Sequence, residues 1–123
     1  MYKPLLESME LSQTAVDKFH SQFNNGQYRE IYLNADTSFK KNTKESDFIE
    51  LLESVKRKIG SVISKSENGI QANGFESSGI TVNVKFKTKF TDGEASEQFV
   101  WIVKNKEAKL GSYTITSPEL IKK

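Results

Sequence analysis

A chain of 123 residues with 36% hydrophobic and 28% charged side chains suits one domain that buries roughly two thirds of the surface its unfolded form exposes. It has no cysteine, which excludes a disulfide framework, a thiolate metal site and a cysteine nucleophile. The net charge of +2 is dispersed, with nine Lys/Arg and nine Asp/Glu in residues 1–60 and nine Lys and seven acids in 61–123, so the electrostatic footprint of a nucleic-acid binder is missing.

No run approaches the ~18 apolar residues of a membrane span, and Glu7 and Glu10 interrupt MYKPLLESMELS before it reads as an export signal. The chain reads as cytoplasmic if Met1 is the native start, or as a piece from which an export signal was removed. Leu5, Met9, Ser12, Val16, Phe19 and Phe23 then recur in steps of four and three, predicting an amphipathic helix from about Leu5 to Phe23 that stops at Asn24-Asn25-Gly26. Tyr28, Ile31, Tyr32 and Ala35 predict a second, shorter helix, with Phe39 one turn further; Asp36-Thr37-Ser38 ends it or starts a loop. Phe48, Leu51, Leu52, Val55 and Ile59 predict a third, with Thr43 and Ser46 as cap candidates, Glu45 and Asp47 in its first turn and Lys56, Arg57 and Lys58 in its last. Gly60 terminates it.

After Gly60 the period changes from helical to alternating. Ser61 to Asn73 predicts a long bent strand with a bulge near Gly69, returning around Phe75 to Gly79. Ile80, Val82, Val84 and Phe86 alternate with polar residues in a second strand, Thr91-Asp92-Gly93 makes a hairpin turn, and Phe99, Trp101 and Val103 alternate in a third. Asn105-Lys106-Glu107 turns again before a last strand from Leu110 to Thr116. The expected fold is therefore α+β, a single domain over 1–123: three N-terminal helices (helical half 5–60) packed on one face of a curved four-stranded antiparallel β-meander (sheet half 61–117), with a short tail at 118–123.

The segments FHSQFNNGQYREIY (19–32), FIELLESVKRKIG (48–60) and TKFTDGEASEQFVWIVKNKEAKLGSYTI (88–115) resemble a family of small bacterial domains of unknown function, often found in predicted envelope lipoproteins. The resemblance covers roughly residues 15 to 116 and implies a cystatin-like, nuclear-transport-factor-two-like fold and an envelope or periplasmic setting. It carries no catalytic motif, so activity is not transferred with fold.

The inner sheet face, taken as Ile80, Val82, Val84, Phe86, Phe99, Trp101 and Val103, has no acid, base or nucleophile, so no catalytic residue, cofactor or metal is expected. His20 neighbours Phe19 and Phe23 and reads as a half-buried structural imidazole, with Asp36 a possible partner across the second helix. Lys85, Lys87 and Lys89 line one strand face without interleaved aromatics and read as a solvated row partly neutralised by Glu94 and Glu97 across the hairpin. Val100 and Ile102 must point away from Phe99, Trp101 and Val103. Together with Thr81, Lys85 and Thr114 they form the candidate interaction surface for a protein partner or a second copy of the chain. The leading expectation is a non-catalytic binding module. One alternative is a small-molecule carrier or enzyme with a helix–sheet pocket rimmed by His20, Tyr32 and Trp101; another is an inhibitor or toxin-neutralising immunity protein.

Overall fold

The structure, a computed structural model, describes residues 2–121. Helix α1 spans Lys3–Asn24, α2 Tyr28–Leu33, α3 Thr37–Asn42 and α4 Glu45–Ile59; strands β1 Val62–Phe75, β2 Gly79–Phe90, β3 Gly93–Lys104 and β4 Glu107–Thr116 follow, and α5, Pro118–Ile121, closes the described chain. The four strands pair antiparallel in the order β1-β2-β3-β4, a meander with helices packed against it. Class, strand order and the change of period at Gly60 agree with the sequence; the helices number four before the sheet rather than three.

The extra helix arises at Asp36. Residues 28–39 keep helical spacing, but the Asp36 N–H donates to the Leu110 carbonyl of β4 at 2.9 Å instead of continuing α2. The Asp36 carboxylate then accepts from the Ser38 N–H at 2.9 Å and the Ser38 hydroxyl at 2.6 Å, capping a new helix on which Phe39 turns inward. Thr43 and Ser46, by contrast, do not cap α4: its N-cap is Lys44, without a side-chain cap. The Ser38 side-chain bond, then its backbone bond and the charges of Lys104 and Lys109, hold the Asp36 carboxyl below its usual range, against a smaller opposing effect of burial. A depressed folded-state pKa means that the cap's contribution is present above the ordinary Asp range and lost as pH falls through the folded value. Asp36→Ala should therefore cost about 1 kcal/mol at neutral pH. Urea denaturation across pH should show wild type and variant converging in acid; a difference independent of pH would count against the cap.

The core is aromatic. Phe99, wholly buried, meets Phe19 edge-on at 5.0 Å and stacks on Trp101 at 5.8 Å, while Phe39 and Phe48 meet edge-on at 5.1 Å beside Tyr32. Lys56, placed by its position to serve its own helix end, instead donates to the Asn24 carbonyl at 2.9 Å and closes the C-terminus of α1. Asn24 exchanges hydrogen bonds with both backbone groups of Val62, which ties the end of α1 to the start of β1. The long first strand shifts register between Glu67 and Ile70, as expected for a bulge at Asn68-Gly69, and shifts again between Val62 and Ser64. In β4 a third irregularity at Gly111 lets Leu110 and Tyr113 both face the helices.

Candidate functional site

The inner face of the sheet does not stop at Phe99. Strict alternation continues through Glu97 and Ala95 on β3 and through Thr88 and Phe90 on β2, so an acid and a hydroxyl are carried beneath α1. Glu97 is 2% exposed. Its Oε1 accepts from Thr88 Oγ1 at 2.6 Å and meets His20 Nε2 at 2.6 Å, while its Oε2 accepts from the Tyr113 hydroxyl at 2.5 Å. Desolvation, then the Glu97 charge and hydrogen bond, push the Tyr113 phenol well above its usual pKa.

Two expectations are corrected here. Glu97 does not neutralise the lysine row, because it faces the core opposite Phe86. Nor does His20 pair with Asp36; it is 5% exposed, buried rather than half-buried, and bonded to Glu97. The inner face of the sheet thus carries an acid after all, and α1 lays a base against it. Both are shut between α1 and the sheet, so this constellation joins α1 to three strands. His20 Nδ1 is buried without a hydrogen-bond partner among the described residues.

The five residues of the candidate interaction surface share the outer face in three adjoining rows. Thr81 lies opposite Ile102, Asn83 opposite Val100, and Lys85 opposite Gln98, which in turn faces Thr114. Thr81, Lys85 and Thr114 are exposed; Val100 and Ile102 are half-buried, and none of them joins the core beneath the helices. Gln98 donates to Asn83 Oδ1 at 3.0 Å between the rows. Glu94 stands opposite Lys89 in register, yet among the described residues Lys85, Lys87 and Lys89 make no ion pair.

The residues named as a pocket rim are distributed differently. His20 packs edge-on against Phe99 at 5.8 Å, and the Tyr32 hydroxyl donates to the Thr43 carbonyl at 2.6 Å, locking the α3–α4 junction. Trp101 does border a void, with Ala15, Phe19, Ile31 and Leu110 among its neighbours, but its volume is about 70 Å³. That space fits about two waters, whereas ligand pockets run to roughly 300–1,000 Å³. The Trp101 Nε1–H has no hydrogen-bond partner among the described residues.

Among the described residues no three His, Asp or Glu side chains converge as a metal site, and no helix is long and apolar enough to cross a membrane. Helices on one face of an open antiparallel meander, over a core with a buried acid–imidazole pair, define an α+β domain whose other sheet face is uncovered among the described residues. Residues 15–113 match the family described as Protein of unknown function (DUF4019), and the chain belongs to that family. No curated protein matches it.

Proposed function

We propose that the domain is a non-catalytic protein-interaction module that docks an acidic partner on the outer face of its sheet. The carrying observation is the row Lys85, Lys87 and Lys89, free of ion pairs among the described residues, beside the half-buried Val100 and Ile102. A cationic row flanking a small apolar patch favours a complementary anionic surface, which steers encounter while the patch supplies burial. Self-association through the same face sets lysines against lysines, so an acidic heterologous partner suits it better than a second copy. An inhibitor or immunity protein would use the face in the same way, by covering its target. The resemblance of residues 15 to 116 to domains of predicted envelope lipoproteins supports an envelope setting.

A photo-crosslinking residue placed at Thr81 or Thr114, both exposed, tests the reading in cells. An acidic protein should be captured from these positions, and Lys85→Glu with Lys87→Glu should abolish capture. The same products from a crosslinker at Glu50, on the exposed side of α4, or capture unaffected by the charge reversals, would sink it. Size-exclusion chromatography with light scattering should give a monomer; a dimer dispersed by Val100→Asp and Ile102→Asp would make the partner a second copy.

A further inference from the structure

At the end of the sheet remote from Gly60, the first turns of α1 and the β1–β2 and β3–β4 turns enclose an open hollow of about 850 Å³. Its floor is apolar, from Leu11, Ile80 and Val103; its walls carry Glu7 on α1 and Glu76 on the β1–β2 turn. Tyr2 lines the mouth, with its ring 6.2 Å from that of Phe75, and these two aromatics are 45% and 67% exposed. Glu7 and Leu11 also border a second, adjoining hollow with Glu10, which extends the acidic wall along α1.

Ser8 adds a polar contact. It is 3% exposed and lines the hollow, and its hydroxyl, which makes no hydrogen bond among the described residues, is not one of the oxygens sealed in the core, so it opens to the hollow where a ligand can meet it. Lys106, on the opposite lip, and Asn105 beside it are the central residues of the two-residue β3–β4 hairpin, and their φ values of 60 and 51 are those of its type I′ turn. Of the charges around the hollow, Lys3 stands 4.0 Å from Glu7, and Lys106 lines it on the lip opposite Glu76; neither Lys106 nor Glu76 makes an ion pair among the described residues.

We infer that this hollow binds a small organic amine with an apolar body. The ammonium group would lie between the Glu76 carboxylate and the exposed aromatic faces of Tyr2 and Phe75, where charge and ring quadrupole both attract a cation. The apolar body would cover Ile80, Val103 and Leu11, and a polar substituent would reach the Ser8 hydroxyl. This site lies at the end of the sheet and needs nothing from the outer-face lysines, so either reading stands or falls without the other.

Amide chemical-shift titration of the whole chain tests it with three probes that share one apolar body: phenethylamine, 2-phenylethanol and 3-phenylpropionate. The amine should shift Ser8, Leu11, Ile80 and Val103 saturably and bind about tenfold tighter than the alcohol, with the carboxylate weakest. Glu76→Gln, an exposed turn substitution, should remove the advantage of the amine over the alcohol; Lys85→Gln on the outer face should leave it intact. Equal affinities for the three head groups, shifts that avoid the hollow, or an amine preference that survives Glu76→Gln would each overturn the proposal.

Discussion

Glu97→Leu should lower the unfolding free energy by about 3–5 kcal/mol, because removing one member of a buried charged network strands the groups that depended on it. Three groups converge on this carboxylate, from His20, Thr88 and Tyr113, and at 2% exposure it is closed off from bulk solvent. With small domains stable by only about 5–15 kcal/mol, the variant should melt far below wild type. Tyr113→Phe removes one of the same bonds, so the two changes should be markedly non-additive in denaturant unfolding. A second readout follows from the phenol: since the Glu97 charge helps to raise the Tyr113 pKa, Glu97→Gln should let Tyr113 ionise at lower pH in an ultraviolet titration. Additive losses below about 1 kcal/mol would show that the network contributes little beyond ordinary hydrogen bonds.

Glu97 also shows where the sequence stopped being legible. Alternation ran cleanly from Phe99 to Val103, and a charged residue two places earlier looked like the end of the buried stretch, since acids are almost never fully buried unless paired. Thr88 lies only nine residues away across the β2–β3 hairpin, but Tyr113 and His20 come from β4 and α1, 16 and 77 residues away, and nothing local signals that all of them meet. The division of residues 28–42 into two helices was hidden for a related reason. Ile31, Ala35 and Phe39 keep a spacing of four across the break, and the bond that interrupts the helix runs from Asp36 to Leu110. What depended on local pattern was legible: α1 and α4, the bulge at Asn68-Gly69 and the outward direction of Val100 and Ile102. The hollow by Ser8 was not, because it is assembled from one helix end and two turns that only the closed meander brings together. Ser8 and Ser12 are buried on α1 where small side chains let the helix approach the sheet, yet in sequence they dilute the apolar stripe.

Gly60→Ala should cost on the order of 3 kcal/mol, far more than the same change at another left-handed glycine. Gly60 has φ 87 and ψ −151, a region that side chains avoid, and its backbone is pinned on both sides. Its own N–H closes α4 on the Lys56 carbonyl at 3.0 Å; the Ile59 and Ser61 carbonyls accept from Asp92 and Thr91, each at 2.9 Å. The helix end therefore docks on the β2–β3 turn, and a Cβ at Gly60 would overlap the Thr91 hydroxyl that accepts from the Ser61 N–H at 3.2 Å. Thr91 cannot rotate away without giving up that bond. Gly26 provides the control: its φ is 72, but a Cβ there would meet nothing within 4 Å. Gly26→Ala should thus show only the intrinsic left-handed penalty of about 1–2 kcal/mol. If the two substitutions proved equally costly in chemical denaturation, the contact with the turn would not matter. If Gly60→Ala is much the worse, the junction where the hydrophobic period changes is also a tertiary joint, binding the end of the last long helix to the far hairpin of the sheet.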